Sequence, residues 1–146
     1  MTATDTISVS RSVMIAATPE KVWQSITEPG YIDKWAIFTP TIDRVEVGGE
    51  GTWVLPTYGP MPITIEAMDP FRSITYRWGP RGGTSTAEHG STVFTFTLRP
   101  VDGGTELTVV ESGFEVLENA DVEAEAHRNG WISGLDSLAA VLAGAS

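Results

Sequence analysis

The chain opens on alternation. Ile7, Val9, Val13 and Ile15 are interleaved with Ser8, Ser10, Ser12 and Met14, a period of two that predicts a half-buried strand over 7–15, interrupted once on its apolar side by Arg11. Thr18-Pro19 then predicts a helix start, since a threonine hydroxyl can cap free backbone N–H groups and proline suits the first turn. Val22, Trp23 and Ile26 supply the apolar face of that helix, and Glu28-Pro29-Gly30 ends it. A second short helix is expected over 31–35, followed by irregular chain through Phe38 and Pro40.

From Ile42 the pattern is strand after strand. The predicted segments are 44–47, closed by Gly48-Gly49; 51–55; 63–68, ended by Asp69-Pro70; 73–78; 92–98; and 106–111, entered through the Asp102-Gly103-Gly104 hairpin turn. Residues 56–62, with Tyr58 and Gly59, and the glycine-rich polar stretch 79–90 are expected as loops, the second either a lid or a plain hairpin tip. Within the strands, Ile74, Tyr76 and Trp78 share one side; so do Phe94, Phe96 and Leu98, and so do Leu107, Val109 and Glu111.

The last segment changes period. Trp131, Leu135, Leu138 and Leu142 recur at intervals of four, three and four, one face of a helix expected over 121–143. Its second half, with Ala139, Ala140 and Val141, is apolar nearly all round, which predicts burial on more than one side. Glu118, Asp121, Glu123 and Glu125 place negative charge where a helix N-terminus favours it. Gly130 costs about 1 kcal/mol against alanine inside a helix, so another backbone is expected to approach it closely. Strands grouped apart from helices indicate an α+β fold, an antiparallel sheet wrapped around the final helix. No repeat, low-complexity run or linker divides the chain, so 1–146 is read as one domain.

Composition narrows the function. At 146 residues, 41% hydrophobic and 19% charged, the chain is long and apolar enough for a real core. Nineteen acidic against nine basic residues give a net charge of −10, which opposes binding to nucleic acid or an anionic membrane. There is no cysteine, so thiol catalysis and thiolate metal sites are excluded. His89 and His127 are the two histidines, no His-x-x-x-His pattern joins them, and no metal or cofactor is expected. Gly-x-Ser-x-Gly is absent, and Gly48-Gly49-Glu50-Gly51 lacks the Gly-Lys-Ser/Thr of a phosphate loop. No apolar run reaches membrane-spanning length, and residues 1–6 lack the basic start and apolar stretch of a signal peptide, so a cytoplasmic location is expected.

Four stretches resemble the START-like superfamily, in its branch of homologues of the heat-shock-protein-90 ATPase activator. They are Ala17-Thr18-Pro19-Glu20-Lys21-Val22-Trp23 with Trp35; Tyr76-Arg77-Trp78; Ser91-Thr92-Val93-Phe94 with Gly104-Thr105-Glu106-Leu107-Thr108 and Glu111-Ser112-Gly113-Phe114; and Gly130-Trp131 with Leu135 and Leu138. The resemblance implies a helix-grip fold, a curved antiparallel sheet around a long C-terminal helix with a cavity between them. It also implies a function range: relatives carry lipids, sterols, hormones or polyketides, and a minority catalyse cyclisation or aromatisation. The separate N-terminal domain of full-length co-chaperone activators has no counterpart in the matched stretch.

On that fold, Trp53, Tyr76, Trp78, Phe94, Phe96 and Trp131 converge on one space, with Trp35 and Phe38 near its mouth. They either fill the core or line a ligand cavity. Glu111 continues the face of Leu107 and Val109, so its carboxylate either points inward, where it must be paired, or ends a strand in solvent. His127 lies four residues before Trp131 on the same helical face and either meets Glu111 or, near the helix start, is likewise solvated. Arg77 alternates away from Tyr76 and Trp78 and is expected in a surface ion pair. The expected function is binding of a small hydrophobic or amphipathic ligand without catalysis. The alternatives are a protein-interaction module related to the co-chaperone, and a polyketide cyclase-like enzyme using Glu111 and His127 as acid and base.

Overall fold

The structure, a computed structural model, describes residues 7–56, 59–79, 86, 91–117 and 119–144. Strand β1 (Ser8–Ile15) leads into α1 (Pro19–Thr27) and the short α2 (Pro29–Ile32). Six strands follow: β2 (Thr39–Ile42), β3 (Glu50–Leu55), β4 (Gly59–Asp69), β5 (Ser73–Trp78), β6 (Thr92–Val101) and β7 (Gly104–Ser112). A 3-10 turn (Phe114–Val116) then connects to the long α3 (Ala120–Gly144). The strands form one seven-stranded sheet in the order β1-β7-β6-β5-β4-β3-β2, with every neighbouring pair antiparallel. The sheet curves around α3, which packs chiefly along β1. The α+β architecture expected from the pattern, and the helix-grip fold that the resemblance implies, are the ones observed.

Local chemistry explains the boundaries. Thr18 accepts the Lys21 N–H at 3.3 Å and Pro19 opens α1, as a capped start requires. On β1, Val9 and Ile15 are buried, while Arg11 on the same side reaches Asp136 of α3 at 3.0 Å. The one polar interruption of the strand's apolar face therefore becomes a tie between sheet and helix. Arg77 meets Glu66 on the neighbouring strand at 2.8 Å, the expected ion pair.

Four expectations need correction. Residues 44–47 are not a strand; the strand of this region is Thr39–Ile42, whose Pro40 is tolerated because β2 is a sheet edge. Residues 59–62 are not loop but the start of β4, despite Pro60 and Pro62. Opposite β3 they pair with Val54 and Thr52, whereas the pairing of β4 with β5 begins only at Ile63. That leaves no β5 ladder for the two prolines to interrupt. The second helix ends at Ile32, and Trp35 follows it in a turn. Tyr58, Glu118, His89 and most of 79–90 lie outside the described residues.

The fourth correction concerns α3. No atom lies within 4 Å of a methyl built on Gly130, whereas one on Gly134 would stand 3.4 Å from the Trp35 ring. The expected backbone approach at Gly130 is therefore absent, and the glycine of α3 that meets a neighbour is Gly134, one turn later, against a side chain. Burial follows one face, Ala124, Trp131, Leu135 and Leu138; Ala140 is exposed and Leu142 half-buried, because the sheet grips the helix from one side. Gly130→Ala is therefore expected to stabilise the fold by about 1 kcal/mol, the helix-interior difference between the two residues. The check is the urea midpoint, and a lower midpoint would show that the added methyl meets the chain after all.

Candidate functional site

The inward faces of β3, β5 and β6 and the tryptophan face of α3 bring the aromatic side chains together. Trp53 stacks on Phe38 with centroids 4.3 Å apart and planes 10° from parallel. It also contacts Tyr76 at 5.3 Å and Phe94 at 5.7 Å. Phe94 lies at 4.9 Å from Trp78, 5.8 Å from Phe96 and 5.0 Å from Trp131. These separations are those of offset and edge-to-face ring packing. Trp35 touches Phe38 at 6.3 Å, and its indole N–H donates to the Ser25 carbonyl at 2.7 Å. All eight rings are buried. The convergence expected from alternation is present, with the rings in mutual contact.

One charged side chain sits against this cluster. Glu111 is 0% exposed; it pairs across the sheet with Phe94 on one side and Val9 on the other, so period-two alternation carries its carboxylate to the core face. Burial of an unpaired carboxylate is prohibitively costly, and here every acceptor site has a donor nearby. Oε1 accepts from the Trp131 indole N–H at 2.8 Å and lies 2.9 Å from His127 Nδ1. Oε2 accepts from the Trp78 indole N–H at 2.8 Å and the Thr92 hydroxyl at 2.6 Å. Trp78 also donates to Thr92 Oγ1 at 2.7 Å, so the hydroxyl relays between indole and carboxylate.

The helix contributes its share through spacing alone. His127 and Trp131 stand four residues apart, one turn, and therefore address the same oxygen. A carboxylate is an acceptor, so the proton of the neutral imidazole is placed on Nδ1, leaving Nε2 as the acceptor. Nε2 lies 3.9 Å from Glu123 Oε2, on the outer side of the ring. The imidazole is held edge-on between Trp78 at 5.6 Å and Phe114 at 5.0 Å, and is the one member of the network with appreciable exposure, 16%. The result is a buried carboxylate joined to an imidazole whose outer nitrogen comes within 3.9 Å of a second, partly exposed carboxylate.

Tyr76 provides a second internal tie. Its hydroxyl donates to the Ile26 carbonyl of α1 at 2.7 Å, and burial pushes the phenol well above its ordinary range. It therefore remains a neutral donor and links the sheet to the first helix.

Of the expected site residues, all ten take part in this one assembly. Thr92 was not anticipated; it opens β6 on the face of Phe94 and stands directly across from Trp78, a placement readable only once the strand register is known. Phe114 also joins, through the left-handed Gly113 (φ 102°) that turns the chain back after β7. Among the described residues no group of three or more His, Asp or Glu side chains is placed to hold a metal ion, and no helix is long and apolar enough to cross a membrane.

The same fold recurs in solved structures. The protein MLL2253 of Mesorhizobium loti is 25% identical, with a TM-score of 0.81 over 96% of this chain and 99% of its own. The Aha1 dimer of Colwellia psychrerythraea is 22% identical, with a TM-score of 0.73 over 93% of this chain and 96% of its own. DynU16, from the dynemicin biosynthetic locus, is 20% identical with a TM-score of 0.72, over 92% of this chain but 46% of that longer one. No curated protein matches the chain significantly. The family model described as Activator of Hsp90 ATPase homolog 1-like protein covers residues 16–143, and the chain belongs to that family.

Proposed function

We propose that the chain binds a small, largely apolar or amphipathic molecule between the sheet and α3. The observation that supports this most is Glu111: a carboxylate with four side-chain donors inside an aromatic shell. Desolvating a charge costs several kcal/mol even when it is well paired, a cost that a wholly apolar core, with the carboxylate and its donors replaced together, would not carry. Buried polar groups set among aromatic walls are the usual composition of a ligand site. A structural relative drawn from the dynemicin biosynthetic locus accords with a small-molecule ligand.

Because the oxygens of Glu111 already accept from protein donors, the polar end of the ligand meets His127, through Nε2. Trp35 and Phe38 form the door. They are carried on chain between α2 and β2, and can swing aside without breaking the ladders of the central strands. The same saturation argues against Glu111 as a free general base, since a base must reach the proton that it abstracts. A second reading, a protein-interaction module, is favoured by one feature: the rings already fill the space between sheet and helix.

Native mass spectrometry of protein purified from its own host decides between them. A retained small molecule, lost in His127→Ala while the circular-dichroism spectrum is kept, is the expected result. Absence of any bound mass, together with no saturable binding of an amphipathic fluorescent naphthalene sulfonate, would remove the ligand reading.

A further inference from the structure

A second concavity lies on the other side of α1. There the outer face of that helix meets the β4–β5 turn and the segment before β3, forming an open groove of about 450 Å³, a volume within the range of small-ligand sites. Trp23 and Phe71 form its aromatic wall, with centroids 5.9 Å apart and planes tilted by 52°. Glu20, Lys21, Gln24 and Glu28 supply the polar rim. The pocket shares no residue with the assembly around Glu111.

Phe71 is placed there against local preference. The Arg72 N–H donates to the Asp69 carbonyl at 2.9 Å, which closes a four-residue turn with Pro70 second and Phe71 third. Phe71 has φ 69°, the left-handed value that this turn type demands and that glycine normally supplies. A bulky residue in that region is a genuine outlier, and such strain concentrates where a side chain has work beyond the fold. Phe71 is moreover 49% exposed, so the core gains little from its ring. Glycine would serve the turn better; what phenylalanine adds is the second wall beside Trp23.

Charge selects the occupant. Two carboxylates face one ammonium around the rim, in a chain of net charge −10. Among the described residues neither Glu20 nor Glu28 forms an ion pair, so both are open to a ligand. Ring faces set at an angle with carboxylates nearby are the arrangement that holds organic cations, through the quadrupole of the rings and direct charge attraction. We propose that this groove is a binding site for a small organic ammonium ion, its cationic head held against the Trp23 and Phe71 rings and attracted by the Glu20 and Glu28 carboxylates of the rim.

The test is titration of the full chain with benzyltrimethylammonium, followed by two-dimensional NMR at the Trp23 indole and the Phe71 amide. Saturable shifts at both are expected, with benzyl alcohol and benzenesulfonate weaker by about tenfold or more. Phe71→Gly is expected to abolish the shifts at Trp23 while leaving the melting temperature unchanged or higher, because glycine accepts the turn without strain. Glu20→Gln combined with Glu28→Gln should weaken the cation and leave benzyl alcohol unaffected. Equal affinity for the alcohol, unaltered cation binding in Phe71→Gly, or no shift at Trp23 would each overturn the proposal.

Discussion

Glu111→Ala is expected to destabilise the fold by about 3–5 kcal/mol, the range seen when one partner of a buried charged network is removed. The reasoning runs through the donors rather than the acid. Trp78 and Trp131 are buried, and an indole N–H only donates, so both lose their acceptor within the core. Each buried donor left without a partner costs about 1–3 kcal/mol. Trp78 retains Thr92 Oγ1 as a second acceptor at 2.7 Å, which softens its loss; among the described residues Trp131 has no such reserve. Glu111→Gln keeps one carbonyl oxygen and should cost less, about 1–3 kcal/mol. If that oxygen faces Trp131 and His127, the amide nitrogen faces the Thr92 hydroxyl, which is able to accept. Glu111→Leu, close in size but without an acceptor, should behave like alanine in spite of its better filling. Urea unfolding of the three variants checks the order. If leucine proves as stable as the wild type, the network is not what holds this part of the core, and Glu111 is then retained for a ligand alone.

How far such a network shows in a sequence depends on what each residue's placement requires. Alternation from Leu107 through Val109 turns Glu111 inward provided the strand continues through it, because a strand offers only two sides; that β7 runs on to Ser112 is what settles the side. The four-residue step from His127 to Trp131 likewise needs only a helix. The partners across the sheet are another matter. That Thr92 lies opposite Trp78, and Phe94 opposite Glu111, depends on register, which local pattern leaves unspecified until the strands pair. The same gap accounts for β4. Pro60 and Pro62 read as loop in any local window, yet they are accommodated where β5 has not yet joined. Gly130 misled for a related reason: a glycine shows that close approach is allowed, and only the neighbouring chain shows where it happens, here at Gly134 beneath Trp35.

Phe94→Ala separates a core that is merely packed from one able to accept a guest. Phe94 is 0% exposed and sits among Trp53, Tyr76, Trp78, Phe96 and Trp131. Its removal should cost about 3–5 kcal/mol, the sum of lost transfer energy and an incompletely collapsed cavity. Those neighbours are large, and three of the five are anchored: Tyr76 to Ile26, Trp78 and Trp131 to Glu111. Anchored rings cannot slide inward to close a void, so the loss belongs at the upper end of that range. An apolar cavity of this kind stays dry and accepts an apolar guest. Benzene or indole should accordingly raise the melting temperature of Phe94→Ala, by mass action on the folded state. The wild type is the informative control. If the native chain is stabilised by indole as much as the variant is, then the space between sheet and helix opens without any mutation and is a working pocket, as the proposed door at Trp35 and Phe38 requires. If only the variant responds, the rings of the native protein are a closed core, and the case for a ligand rests on a molecule strong enough to part them.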